Sequence, residues 1–435
     1  MGVPPSGGTE LDGRVRDLTH AGEAVVETEH GIVLARGALP GERVRLRLGR
    51  RAAGVQRGVV ISLLEASESR VEPACQLAER CGGCPLMALS PEAQLRFKQQ
   101  RLRAMLEGLG STLEPELVPS PSMLGYRGRA RLAFRREGET MQLGYFAAGS
   151  KTLVDVSVCQ VLHPALALGL TALRERLRPS LEGEGEVALG LGAGGACVAE
   201  LTSRGPQPPQ AYAAAEALIS SGGLAGLALR IADGAAARFG DPRQVTASSD
   251  GTPLWAPAGS FRQANPEVNA MLVERVLALA EPEGAAVLEL YAGHGNFTIG
   301  LAPRAKSLQA VEADRGAADA CRESLRSRGV IQARVVCADA VEGARGQGGL
   351  DVVVLDPPRA GAKEVLPVVV GRRPERIVYV SCDLATLRRD LAELMRNGYA
   401  LDAVTGFDMF PQTAHLETVV RLRATRTSPQ SVQKR

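Results

Sequence analysis

Between Val287 and Asp383 the chain repeats one event: an apolar run rich in Val, Ile and Leu stops at a polar turn, and a helical pattern follows. Val287-Leu288-Glu289-Leu290-Tyr291 runs into Ala292-Gly293-His294-Gly295-Asn296-Phe297, which opens a helix. Ser307 to Glu312, Val335 to Asp339 and Leu350 to Asp356 are further strand-like runs, each ending in a carboxylate. Arg376 to Cys382 ends in a thiol and turns into a helical pattern from Leu384 to Leu394, with Asp383 near its start. Strands alternating with helices predict a parallel sheet with helices on its faces, and such sheets hold ligands at the carboxyl ends of their strands. The polar residues fall there.

The glycines of the first turn let a ligand approach the backbone, and Glu312 is placed for two ribose hydroxyls. A third glycine for gripping a pyrophosphate is missing, so S-adenosylmethionine suits the pattern better than NAD. Asp339 would face the adenine edge. His294, between two glycines, reads as loop filler. Cys382 at a helix start lies beside unpaired backbone N–H groups, an environment that lowers a thiol pKa. A thiolate beside a methyl donor makes sense for a pyrimidine, whose carbon 5 becomes nucleophilic only after a thiolate adds to carbon 6. A base must then remove the carbon-5 proton. Glu417, immediately before the strand-like Thr418 to Leu422, is the candidate, and His415 is its rival.

At 435 residues the chain calls for two or three domains. Short strand-like runs with Gly/Pro turns from Arg16 to about Glu65 predict a small OB-like barrel, a common single-strand nucleic-acid platform. Alternation from Arg43 to Arg47 puts a basic row on its outside. A second row, Arg127, Arg129, Arg131 and Arg135, alternates with Ala130, Leu132 and Phe134, so a strand there would show one basic face. Each row also has a plainer reading as an ordinary solvated face.

No apolar run approaches the ~18–20 residues that span a bilayer. The first residues lack a signal peptide's apolar stretch, so the expectation is a cytoplasmic protein without membrane contact. Eight cysteines in that compartment point to metal binding or catalysis rather than disulfides. Cys75, Cys81 and Cys84, with intervening glycines and a following proline, suit an iron–sulfur cluster whose fourth ligand is the distant Cys159. Zinc is the competitor, although the usual paired Cys-x2–4-Cys knuckles are absent. Cys197, Cys321 and Cys337 read as packing. A net charge of +3 neither demands nor excludes a polyanionic partner.

Several stretches together resemble the RNA 5-methyluridine methyltransferases: Ser260-Phe261-Arg262-Gln263-Ala264-Asn265, Leu290 to Phe297, Asp356-Pro357-Pro358-Arg359, Val380-Ser381-Cys382-Asp383, and Asp408-Met409-Phe410-Pro411 leading to Glu417. Gly37 to Val44 also resembles the TRAM domain of RNA-modifying enzymes. The resemblance implies Cys382 as nucleophile and Glu417 as base. It implies S-adenosylmethionine held by Gln263, Tyr291, Asn296, Glu312, Asp339 and Asp356, and a 4Fe-4S cluster on Cys75, Cys81, Cys84 and Cys159. Two positions depart from the family pattern: Ala292 stands where cysteine is frequent, and Asp383 where asparagine is frequent.

The expected architecture is α/β: a TRAM barrel (1–66), a central α+β domain with the cluster (67–255), a Rossmann-like class I methyltransferase domain (256–425) and a disordered tail (426–435). The expected function is methylation of a uridine in RNA, most likely 23S rRNA, by a monomer. The alternatives are methylation of tRNA uridine-54 and a catalytically silent iron–sulfur RNA-binding protein. The silent protein would have no need for Cys382 and Glu417 together.

Overall fold

The computed structural model describes residues 9–52, 54–346 and 349–425; the expected tail, 426–435, lies outside the described residues. Strands Glu10–Leu18, Ala24–Thr28, Gly31–Ala35, Arg43–Ala52 and Val55–Glu65 close into a five-stranded barrel. Its inside is filled by Val15, Val26, Val33, Val44 and Leu46, and by Leu86 and Phe97 from outside the barrel. The first strand, Glu10–Leu18, begins before the run expected from sequence, because its buried positions Leu11, Gly13, Val15 and Leu18 include a glycine and are separated by charged residues.

A seven-stranded sheet follows, mostly antiparallel, with Arg129–Glu137 between Glu184–Leu191 and Thr140–Phe146. Ala130, Leu132 and Phe134 point into a core shared with helices Pro164–Ala172 and Pro209–Ser220, so the expected alternation holds. Within the expected 67–255 segment, two elements pack elsewhere. Helix Pro91–Glu107 contributes Leu102, Met105 and Leu106 to the core of a second, eight-stranded sheet, and strand Glu116–Val118 adds to that sheet's edge beside Tyr399–Phe407.

The eight-stranded sheet carries the polar turns. Ala333–Cys337, Ser307–Glu312, Ala286–Leu290, Val352–Leu355 and Arg376–Ser381 run parallel, and Glu417–Ala424 lies antiparallel to the last of them. Both faces are covered: Val287, Val378 and Val380 pack under helix Pro266–Ala280, while Leu288, Ile377 and Tyr379 pack under helix Leu384–Arg396. Residues alternating along a strand thus serve opposite cores, which is why these runs are apolar throughout. Among the described residues no helix is long and apolar enough to cross a membrane. Cys197 and Cys321 are buried as packing residues, but Cys337, expected to pack, is exposed where its edge strand ends.

Candidate active site

Strand register brings the reactive residues together. Ser381 pairs with Thr418 across the antiparallel ladder, so Cys382 and Glu417, one step further, face each other at its end. Leu355 pairs with Tyr379 on the other side, which puts Asp356 at the same sheet edge. The turn after Asp356 is pinned. Buried Asp390 accepts from the Tyr379 hydroxyl at 2.7 Å and from Ala362 N at 2.7 Å, and Arg389 donates to Ala360 O at 2.8 Å. Arg359, in that turn, faces Cys382, Glu417 and His415.

The electrostatics correct one expectation. The Cys382 thiol is pushed up to about 11, first by burial and then by the charge of Glu417; Arg359 opposes both through its charge and a hydrogen bond. The helix N-terminus does not lower it as predicted. Asp383 caps helix Leu384–Arg396, its carboxylate accepting from Ala385 N at 3.0 Å and Thr386 N at 2.9 Å, so those amides are already taken. Desolvation raises Asp356 to about 7, and desolvation together with Asp356 raises buried Glu417 well above the carboxylate range, with Arg359 opposing.

Arg359 entered the sequence reading only as the last residue of the stretch Asp356-Pro357-Pro358-Arg359. Its guanidinium is the positive charge that favours the thiolate. Arg359→Met is therefore expected to lower single-turnover methyl transfer by roughly tenfold or more near neutral pH. Losing the cation raises a thiol pKa that already lies at about 11, so below it both thiolate fractions rise together and the deficit should stay constant across about pH 6.5–9.5. A rate within twofold of wild type throughout that range would remove Arg359 from this role.

The glycine turn forms the expected cradle. Tyr291, Gly293 and Gly295 have φ of 63°, 57° and 101°. A side chain at Gly293 would project into open space in front of the turn, whereas one at Gly295 would lie 3.0 Å from Cys321 Sγ behind it. Glu312 accepts from Gly293 N at 2.8 Å and from Asp314 N at 2.7 Å, which fixes its carboxylate and leaves lone pairs for two hydroxyls. Asn296 exchanges paired amide hydrogen bonds with Asn269, at 3.0 and 2.9 Å. Asp339 is exposed and caps a short helix through Glu342 N; Gln263 is half-buried just ahead of helix Pro266–Ala280. These features fit an adenosine ligand without phosphates. His294 is buried with its Nε2 unpartnered, and burial pushes it down to about 3, so it stays neutral.

Cys75, Cys81, Cys84 and Cys159 line a single cavity of about 410 Å³ that also reaches Arg359, Phe410 and His415. Each thiol is half-exposed, and burial pushes Cys84 up to about 12 with help from the other three sulfurs. Backbone N–H groups of Gly83 and of Val161 and Leu162 favour the thiolates of Cys81 and Cys159, and Arg127 favours those of Cys84 and Cys159. Among the described residues no three His, Cys, Asp or Glu side chains stand close enough to hold a single metal ion. A donor set of four thiols with N–H groups and a cation turned toward sulfur fits an anionic thiolate-bound cluster.

The two arginine rows separate. Arg127, Arg129 and Arg131 line the cavity, with Arg129 over the exposed Phe261 ring at 5.1 Å. Arg135 turns away to Glu184 and Glu137. On the barrel, Arg43, Arg45 and Arg47 each pair with a carboxylate of Glu65, Asp12 or Glu10, and the barrel residues that line the groove leading to Arg359 are His20, Ala21 and Arg36 instead. His415, the rival base, is half-buried and pushed down to about 4 by burial and by neighbouring cations.

Comparison with known proteins agrees with this geometry. The family described as tRNA (Uracil-5-)-methyltransferase matches residues 255–345 and 347–425. The 23S rRNA (uracil(1939)-C(5))-methyltransferase RlmD of Chromohalobacter salexigens is 35% identical over 426 residues, covering 95% of this chain and 89% of its own. Its namesake from Alkalilimnicola ehrlichii is 35% identical over 93% of this chain and 94% of its own. The crystal structure of Pyrococcus abyssi tRNA (uracil-54, C5)-methyltransferase with S-adenosyl-L-homocysteine superposes with a TM-score of 0.75 at 24% identity, over 94% of this chain and 100% of that one. That likeness concerns the fold.

Proposed function

We propose, from the premise that this chain belongs to the RNA 5-methyluridine methyltransferase family, that it methylates carbon 5 of a uridine in 23S ribosomal RNA through a covalent bond to Cys382. The observation that carries the chemistry is the thiol of Cys382 facing the carboxylate of Glu417 across the end of one strand pair, with Arg359 between charges of opposite demand. S-adenosylmethionine, when bound in the glycine cradle by Gln263, Tyr291, Asn296, Glu312, Asp339 and Asp356, supplies an electrophilic methyl group. The Cys382 thiolate adds to carbon 6, the electron pair displaced from the 5,6 double bond makes carbon 5 the nucleophile, and carbon 5 takes the methyl group as the sulfonium–methyl bond breaks and leaves its electron pair on the donor sulfur. Glu417 then takes the carbon-5 proton. The C5–H pair re-forms the double bond, the C6–S bond breaks, and the thiolate returns to Cys382.

Relatives named as 23S rRNA enzymes match almost the whole chain, which favours ribosomal RNA over tRNA uridine-54. In a strain lacking this protein, 5-methyluridine should vanish from 23S rRNA and remain in tRNA. Loss from tRNA alone would establish the alternative. The enzyme would act as a cytoplasmic monomer. Its barrel (1–66) would be a TRAM domain, residues 67–255 would carry the cluster, residues 256–425 would be the methyltransferase domain, and Arg127, Arg129 and Arg131 would hold RNA phosphates.

Cys75, Cys81, Cys84 and Cys159 would bind a 4Fe-4S cluster, which would tie the loop at 75–84 to the segment at 159 as a structural pin. Protein purified without oxygen should be brown and carry about four irons per chain. Colourless protein with one zinc would reject the cluster. Replacement of Cys84 should cost folding before it costs chemistry.

A further inference from the structure

Helix Pro91–Glu107 buries two polar side chains one turn apart, Gln94 at 1% and Lys98 at 0% exposure. Their partners lie in the loop 408–416, which joins Tyr399–Phe407 to Glu417–Ala424 and delivers Glu417 opposite Phe407. Lys98 Nζ donates to Asp408 Oδ1 at 2.5 Å and to Phe410 O at 3.1 Å. Gln94 Nε2 donates to Gln412 Oε1 at 2.9 Å, and Gln94 Oε1 accepts from Gln412 N at 2.8 Å. Gln412 itself sits at φ 67°, a left-handed conformation that a non-glycine residue holds only when its surroundings impose it. The same Gln94 amide donates to Leu86 O and Leu89 O, and Leu86 N donates to Gln412 O at 3.0 Å, so the chain just after Cys84 closes on the loop as well.

We propose that Gln94 and Lys98 are positioning residues that clamp this loop so that the Glu417 carboxylate meets the carbon-5 proton; the inference rests on the reading of Glu417 as base. One side of the loop is bonded to the helix, while Phe410, Thr413 and His415 line the cavity beside Arg359. Cys382 and Asp356 follow other strands, Arg376–Ser381 and Val352–Leu355. Slack in the loop therefore misplaces the base more than the nucleophile, and proton transfer falls steeply with misplacement. The clamp acts on the step after methyl transfer.

The test uses the full-length enzyme, an RNA fragment bearing the target uridine, and two variants. Lys98→Met combined with Asp408→Asn removes both charges, so that neither is left buried alone. Gln94→Leu removes the amide clamp. Expected in both is first-turnover methyl incorporation within about twofold of wild type. Steady-state turnover should be lower by roughly 10- to 100-fold, and denaturation-resistant methylated RNA–protein adduct should accumulate. S-adenosyl-L-homocysteine affinity should not change. Wild-type turnover without adduct overturns the clamp, and so does an equal loss of first-turnover methylation. If the paired variant does not fold, Gln94→Leu decides by the same readouts. Glu417→Gln in parallel separates the two claims: no adduct there refutes the base reading, whereas adduct there and none in the helix variants refutes the clamp.

Discussion

Cys382→Ala is expected to lower methyl transfer to uridine-containing RNA by roughly 10⁴-fold or more while leaving RNA and S-adenosyl-L-homocysteine affinities near wild type. The expectation follows from where the other groups sit. Asp356, Arg359 and Glu417 remain in the variant, but none of them can add to carbon 6, and without that addition carbon 5 does not attack a methyl group. The side chain removed is small and only half-buried at a strand end, so the sheet should survive its loss. Single-turnover methylation with labelled donor measures the effect. Turnover within tenfold of wild type would assign the nucleophile elsewhere.

Glu417→Gln should give a different failure. Methyl incorporation should proceed once and stop, because the amide cannot take the carbon-5 proton and the thiol cannot leave while that proton remains. Denaturing gels should then show a protein–RNA band that depends on the methyl donor. Turnover at the wild-type rate would pass the role to another group, with His415 the first to examine.

Much of the site could be read from the chain because its residues sit at strand ends that apolar runs announce. Cys382, Asp356 and Glu312 each follow such a run, and parallel pairing brings those ends to one edge. The glycine cradle was legible for the same reason, since Gly293 and Gly295 occupy positive φ between a strand and a helix. What stayed hidden depends on partners remote in sequence. Nothing in the chain sets Gln94 and Lys98 apart from the other polar residues of their helix; only the fold shows that their side chains are satisfied by residues 408–412 and therefore face inward. The Arg43–Arg47 row looked like a phosphate-binding strip, yet the neighbouring strand supplies Glu10 and Asp12 opposite those arginines. Asp383 was legible as a residue near a helix start, but its capping bonds, which deny those amides to the thiol, were not.

The central claim is a covalent bond between Cys382 and carbon 6 of a uridine in ribosomal RNA. The most direct measurement replaces the target uridine of a 23S rRNA fragment with 5-fluorouridine and digests the product formed with methyl donor. Fluorine cannot leave as a cation, so elimination is blocked and the adduct persists. The account predicts one modified peptide, containing Cys382 and carrying a methylated fluorouridine. A peptide modified at another cysteine, or full methyl donor consumption with no adduct at all, would contradict it.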